Sequence, residues 1–267
     1  EEVIVNHNDF VRVHAVNYID AHSINAPTPE FLTWHRWWLL KYESALQAVS
    51  KDCSITLPFW ETEAYSGREE ISPPLQPSTF GSVDGVEFTG RFRGQQYSEV
   101  SEGIAKDWTT PVSQDRFPSG VLERSFGAQT FSSQAQVLDI IQSFSAFQDF
   151  FQPIEGTPHA VPHNWVGRQM GNVQYSPEDP LFVLHHTNVD KWFALWQDLY
   201  YPNGITVSQL AMDQFSGDMD VPMLFEFDGV TPYFQLDGNY PTPRQVLLLD
   251  DDNINVVYEE DDLAQIL

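Results

Sequence analysis

Histidines are the residues of this sequence whose types and spacing could do chemistry. His159 and His163 are four residues apart, so on an α-helix both imidazoles would project from one face and could bind one metal ion. His185 and His186 follow in a later stretch. Because adjacent helical residues point about 100° apart, only one of these two should face the same ion. Three neutral imidazoles that leave a coordination position open suit Cu or Zn and permit chemistry at the metal.

A second group of histidines lies upstream. His14, His22 and His35 come from a first predicted helix, the loop that follows it and a second predicted helix. Taken alone, an i,i+4 histidine pair more often lies on the surface without a function, or in the core with its hydrogen bonds made within the protein. The neighbouring tryptophans by themselves predict only a core: Trp34, Trp37, Trp38, Trp192 and Trp196. It is the joint pattern of the surrounding residues that favours a metal site.

Helices must position both groups. Apolar residues at helical spacing predict helices over about 8–20, 30–50, 132–151, 159–170 and 181–200, with a break at 153–158. Ser66–Gly127 is rich in Gly, Pro and Ser and predicts a long irregular connection, while Val246–Leu249 is strand-like. The sequence therefore predicts a mainly α protein, a single domain over residues 1–267. Its centre would be an antiparallel four-helix bundle, joined by long irregular connections and a few short strands.

Charge and composition limit the partners. With 267 residues, 42% of them hydrophobic, the chain can bury a sizeable core. The formal charge of −25 argues against nucleic acid and anionic membrane surfaces as partners. No apolar run approaches the ~20 residues of a membrane span.

Cys53 is the single cysteine, so no intrachain disulfide can form, which favours an intracellular location. No charged-then-apolar leader opens the chain, and a start at Glu1 is compatible with removal of one.

Four runs of sequence surround the histidines. They are NDFVRVH over residues 8–14, FLTWHR over 31–36, EGTPH over 155–159 with His163 after it, and DPLFVLHHTNVDKW over 179–192. The second and fourth runs closely resemble the two copper motifs of the tyrosinase–haemocyanin (type-3 copper) family. The third looks like the H-x-x-x-H helix of that family, and the first is similar to the run that supplies the first ligand in short fungal members.

The resemblance implies a ligand set. The first metal would take His14, His22 and His35. In the family the second histidine of the adjacent pair is the ligand, so the second metal would take His159, His163 and His186. His7 and His185 would be left as non-ligands.

The sequence also departs from the family pattern. Asn25 and Ala26 stand where a histidine is usual, and the loop from His22 to His35 is about four residues longer. Ala160 replaces the asparagine that members able to hydroxylate monophenols often carry just after the first ligand of the second site. That replacement argues against monophenol hydroxylation.

The resemblance implies two copper ions as cofactors, with O2 and a small aromatic molecule as partners, and oxidation of o-diphenols or related aromatics. Asp190, four residues after His186, would orient a ligand or form an ordinary salt bridge; Glu155 would act as a nearby base or cap a helix. Two alternatives stay open. One is a non-oxidative zinc or single-metal enzyme of fungal secondary metabolism, such as a cyclopenase-type lyase that converts cyclopenin to viridicatin. The other, less favoured, is an O2 carrier like haemocyanin.

Overall fold

The structure of the chain is a computed structural model that describes residues 6–22, 29–81, 83–84, 87–88, 122–202, 218–226, 231–247 and 258. The described chain is mainly helical, which confirms the predicted fold class. Its α-helices, in chain order, are α1 (His7–Ala21), α2 (Glu30–Ser50), α3 (Gln134–Ser143), α4 (Phe147–Ile154), α5 (Ala160–Val166), α6 (Leu181–Tyr200) and α7 (Pro243–Leu247). None of the helices in these ranges is both long and apolar enough to cross a membrane.

The connections contain short elements. Strands β1 (Val83–Asp84) and β2 (Glu87–Phe88) pair antiparallel, with Val83 opposite Phe88. Single 3-10 turns occupy Thr62–Tyr65, Glu69–Ile71, Pro73–Leu75, Ser176–Glu178, Asp218–Asp220 and Thr231–Phe234. The strand pair falls within the connection that the sequence predicts over Ser66–Gly127.

Helix α2 is central to the packing, because it contacts α1, α6 and α7. The ring of Trp38 on α2 meets Phe10 of α1 edge-on, with 5.2 Å between centroids, and its indole N–H donates to the Phe10 carbonyl at 3.2 Å. On the α6 side, Trp196 stacks on Phe150 of α4 at 4.8 Å. Burial of side chains of this size contributes roughly 1.5–3 kcal/mol each. The tryptophans therefore form the core that the sequence predicts.

The chain stays helical where its prolines predict a break, so that prediction was wrong. Helix α4 contains Pro153 and runs into a π-helical turn, Glu155–His159, which contains Pro158 and continues as α5. In an α-helix a proline ring clashes with the carbonyl four residues earlier, and the wider π-turn relieves that clash. The turn ends at His159, so it sets the direction of a histidine that the sequence predicts to be a ligand.

Three further boundaries differ from the prediction. The helix expected over 132–151 is divided into α3 and α4, and the one expected over 159–170 ends at Val166 because Gly167 adopts a φ of 71°. Val246 and Leu247 are helical rather than extended, and the other two residues of the predicted strand, Leu248 and Leu249, lie outside the described residues. Local bonds decide this last case: Thr242 Oγ1 accepts from the Gln245 N–H at 3.2 Å, which caps the short helix and outweighs the β-preference of its apolar residues.

A buried ion pair fixes the start of α6. Arg124 and Asp179 have fully buried side chains and form two hydrogen bonds, Nε–Oδ2 at 2.6 Å and Nη2–Oδ1 at 2.7 Å. Asp179 Oδ1 also accepts from the Leu181 N–H at 2.9 Å, within the first turn of α6. The pair therefore ties the connection before α3 to the helix that carries His185 and His186.

Replacement of Arg124 by Met should destabilise the protein strongly, because it leaves the Asp179 carboxylate buried without its cation. We expect a loss of about 3–5 kcal/mol in the free energy of unfolding, measured by denaturant titration. Arg168→Met is the matched control: Arg168 is 53% exposed and its Nε lies 3.5 Å from Glu123, so its loss should cost less than about 1 kcal/mol. Equal losses in the two variants would contradict this interpretation.

Candidate metal centre

The structure brings the first predicted group together. His14 lies on α1, His22 is the C-terminal cap of α1, and His35 lies on α2. One nitrogen of each of these buried imidazoles lies within 4.8 Å of the others, and the Nε2 atoms of His14 and His22 are 3.1 Å apart. This convergence depends on the packing of α1 against α2, since no local sequence spacing brings residue 14 beside residue 35.

Backbone carbonyls orient two rings of this group. His14 Nδ1 donates to the carbonyl of Gln174 at 3.2 Å, and His35 Nδ1 donates to that of Phe31 at 2.7 Å. A carbonyl can only accept, so Nδ1 carries the proton and the Nε2 lone pair is left free. His35 Nε2 is buried and has no hydrogen-bond partner in the described part of the chain. Free, buried imidazole nitrogens of this kind fit a bound metal ion.

The second predicted group is built on the π-turn and α5. His159 Nδ1 donates to the carbonyl of Glu155 at 3.0 Å, and His159 Nε2 is buried without a partner among the described residues. His163 Nδ1 lies 2.9 Å from the carbonyl of Met170 and 2.8 Å from Ser176 Oγ. These two rings therefore also present Nε2 to a common centre, as the i,i+4 spacing predicts.

Two neighbouring histidines of α6 lie beside this pair. By distance, His159, His163 and His185 each offer a nitrogen within 4.8 Å of the others. Nε2 of His185, however, donates to the carbonyl of His159 at 2.9 Å, and its Nδ1 has no partner among the described residues. Nε2 of His186 lies 3.1 Å from Nε2 of His163. The geometry thus leaves two candidates for the third position.

The two groups adjoin one another. The rings of His35 and His186 stack with centroids 4.2 Å apart, and the rings of His22 and His159 stack at 5.7 Å. Contacts of this length between groups from α1, α2, the π-turn and α6 place two ions, if bound, as neighbours. The arrangement is therefore that of one dinuclear centre rather than two separate sites.

Burial keeps all these imidazoles neutral. It lowers the pKa of His14 to about 3 and the pKa of His163 to about 4. Burial, followed by repulsion from neighbouring imidazoles, holds the pKa of other members well below the usual 6.5: His22, His35, His159, His185 and His186. Neutral imidazole is the form that binds a metal ion. The electrostatics of the centre therefore suit a cation and disfavour protons on the rings.

A pocket of about 210 Å³ opens onto the centre. His22, His159 and His163 line it together with apolar residues that include Ala160 and Val173. The volume is in the range of a small aromatic molecule. Ala160, the departure noted in the sequence, therefore lies where a ligand of the pocket would meet it.

Of the two residues predicted to be catalytic, Glu155 lies beside a histidine of the centre and Asp190 contacts other side chains. Glu155 Oε1 lies 3.9 Å from Nδ1 of His22, and burial raises the pKa of Glu155 to about 8. Glu155 is the first residue of the π-turn, and no side-chain hydrogen bond from the described residues caps that turn. Asp190 bonds away from the histidines: Oδ1 accepts from Arg36 Nε at 2.6 Å and Oδ2 from the Tyr258 hydroxyl at 2.9 Å. Of its two predicted roles, the described contacts of Asp190 match the salt bridge.

Sequence reasoning missed the groups that orient the rings. The carbonyls of Met170 and Gln174 carry no side-chain signature, so no pattern could have identified them. Ser176 begins the run Ser-Pro-Glu-Asp-Pro, a pattern typical of a helix start, which indicates no contact with an imidazole. Its hydroxyl bonds His163 because the chain after α5 folds back over the centre.

The fold and the two adjoining trihistidine groups define a class, helical proteins with a dinuclear histidine centre. Comparison with known proteins identifies the family. The family model described as the common central domain of tyrosinase matches residues 5–199. A tyrosinase from Streptomyces glaucescens is 32% identical over 214 residues, which cover 74% of this chain and 72% of that protein. The chain belongs to the tyrosinase family of type-3 copper proteins.

Solved structures share the fold. A polyphenol oxidase from Thermothelomyces thermophila superposes with a TM-score of 0.51 at 21% identity, over 88% of this chain and 68% of the other. A functional unit of octopus haemocyanin superposes with the same TM-score and identity, over 97% of this chain and 68% of the other. At this identity the likeness shows the fold alone.

Proposed function

We propose that the chain is a dinuclear copper oxidase that oxidises o-diphenols or related aromatics with O2. The observation that carries this proposal is the pair of adjoining groups of buried, neutral imidazoles that open onto one pocket of small-aromatic size. Two imidazole-bound copper ions supply two one-electron couples, which match the two-electron oxidation of a diphenol by O2. Family membership supports the choice of copper.

The residues of the chain hold and orient the reactants. Ala160, Met170 and Val173 offer apolar surface to the ring of a bound diphenol, while His22, His159 and His163 line the same pocket and would meet its hydroxyl groups. Glu155 Oε1 lies 3.9 Å from Nδ1 of His22, and we propose that this carboxyl group exchanges a proton with a diphenol hydroxyl. The ion pair of Arg36 and Asp190 joins α2 to α6 and so holds His35 and His186 in their stacked arrangement.

For the second metal we propose His159, His163 and His186. The 3.1 Å between the Nε2 atoms of His163 and His186 is close to the separation of two ligands on one ion at metal–nitrogen distances of about 2.0–2.1 Å. Nε2 of His185 instead donates to the carbonyl of His159, and this bond orients the backbone of His159, itself a proposed ligand. For the first metal we propose His14, His22 and His35.

The alternatives find less support. The haemocyanin likeness concerns the fold, which an oxidase shares equally. The relatives named above are a tyrosinase, a polyphenol oxidase and a haemocyanin, and none of these names describes a zinc lyase. Metal analysis and oxygen uptake separate all three functions.

Copper-loaded protein should bind two ions per chain and convert an o-diphenol to the o-quinone with one O2 consumed per two diphenols. Oxygen-electrode and absorbance measurements on the same sample test this ratio. Zinc-loaded protein is the control and should consume no O2. Reversible O2 binding without quinone formation would support a carrier instead. A protein that holds zinc and never oxidises a diphenol would contradict the proposal.

The ligand choice is tested by a matched pair of variants, His186→Gln and His185→Gln. Glutamine keeps a side-chain N–H that can still reach the His159 carbonyl, so His185→Gln should retain two copper ions. His186→Gln should retain one, as measured by elemental analysis of folded protein. The reverse result would assign His185 to the metal.

Ala160→Asn should raise the rate of monophenol hydroxylation relative to diphenol oxidation, because the amide would project into the pocket beside His159. We expect a change of several-fold in the ratio of the two kcat/KM values, in the range of one added hydrogen bond of about 1 kcal/mol. Ala160→Val, which adds volume without polarity, is the control. An identical ratio in all three proteins would show that this position does not govern the choice between the substrates.

A further inference from the structure

We propose that residues 167–176, here termed the orienting loop, position one histidine of each group and thereby couple the two metal positions. This inference rests on the metal-binding part of the proposed function. The carbonyl of Gln174 accepts from Nδ1 of His14, and the carbonyl of Met170 accepts from Nδ1 of His163. One short stretch of chain therefore sets the tautomers of imidazoles that α1 and α5 bring from positions far apart in the sequence.

Ser176 completes the contact with the second group. Its Oγ lies 2.8 Å from both His163 Nδ1 and the Met170 carbonyl. A carbonyl only accepts, so the hydroxyl donates to Met170 and accepts from the His163 N–H. The proton on Nδ1 is thus shared between two acceptors, which holds Nε2 of His163 unprotonated and directed towards His186. Ser176, His163 and Met170 are all buried.

Gln174 makes the corresponding attachment to the first group. Its side-chain Nε2 donates to the carbonyl of Ala15 at 3.1 Å, next to His14 on α1. The loop is thereby fastened to α1 by a bond that does not involve an imidazole. Removal of this amide should loosen the contact of the loop with His14 and leave Ser176 and Met170 in place.

The loop itself is internally braced, so a change at its centre should reach both ends. Asn172 Oδ1 accepts from the N–H groups of Gln174 at 3.2 Å and Tyr175 at 3.3 Å, and the Gly171 N–H donates to the Gly167 carbonyl at 3.0 Å. A Cβ on Gly171 would lie 2.9 Å from the Gly167 Cα and 3.3 Å from the His163 carbonyl. The chain can accommodate that atom only if the loop shifts.

The test compares four variants with distinct expected patterns. Ser176→Ala should weaken copper binding at the second position only, and Gln174→Ala at the first position only. Gly171→Ala and Asn172→Ala should weaken both. Orienting bonds of this kind change metal affinity by roughly 10–100-fold. Copper dissociation constants are measured by competition with a chelator, and His14→Ala and His163→Ala serve as single-position references.

A second readout uses the metal-free protein, so it stands even if the proposed oxidase activity is absent. In protein labelled with ¹⁵N-histidine, the nitrogen shifts of His14 and His163 report which ring nitrogen carries the proton. Ser176→Ala should change the shifts of His163, Gln174→Ala those of His14, and Asn172→Ala those of both. Ser72→Ala is the control: Ser72 is buried, its hydroxyl has no partner in the described residues, and its removal should change neither.

The outcomes decide the proposal. Folded Asn172→Ala protein with unchanged shifts and unchanged affinity at both positions would overturn it. Equal effects of Ser176→Ala on both groups would show that the contacts act through general stability and not through the loop. If Gly171→Ala fails to fold, Asn172→Ala still tests the coupling, because it removes only a half-exposed side chain.

Discussion

The constraint on which this structure depends is the desolvation of a whole cluster of imidazoles. A buried imidazole loses the free energy of hydration of its charged form, and each neighbouring ring adds repulsion if more than one is protonated. The histidines of the centre therefore remain neutral, and each must find an acceptor for its single N–H. Backbone carbonyls from α2, the π-turn and the segment after α5 provide these acceptors for His35, His159 and His163. The surrounding helices are arranged so that these carbonyls and rings meet.

Two buried ion pairs hold α6 in place. Arg124 and Asp179 hold the first turn of α6, while Arg36 and Asp190 join α6 to α2 further along. Arg36 also lies over the ring of Phe193, 4.1 Å from its centroid. Removal of one partner from such a buried pair costs more than the intact pair contributes, because the remaining charge cannot be rehydrated. The position of α6 is therefore strongly specified, and with it the positions of the two histidines that it carries.

The sequence predicted much of this because helices with long motifs carry strong local signals. The ranges of α1, α2 and α6 follow from their apolar spacing, and the six histidines were selected by the surrounding motifs. The path through Pro153 and Pro158 was mispredicted, since a π-turn depends on tertiary packing that overrides local preference. The family resemblance chooses His186 over His185, and the coordinates add what it could not give: Nε2 of His185 donates to the carbonyl of His159. Main-chain acceptors leave no trace in a sequence pattern.

The π-turn limits which sequence changes this protein can tolerate between α4 and α5. Compared with an α-helical path, Glu155–His159 contains one additional residue per turn, and the rings of His159 and His163 depend on the rotation that this residue introduces. Deletion of a single residue there would rotate α5 by about 100° and turn both imidazoles away from their partners. Ordinary substitutions at the exposed positions of the turn would be tolerated, whereas a change in its length would not. We therefore expect the number of residues in this segment to stay constant while its exposed side chains vary.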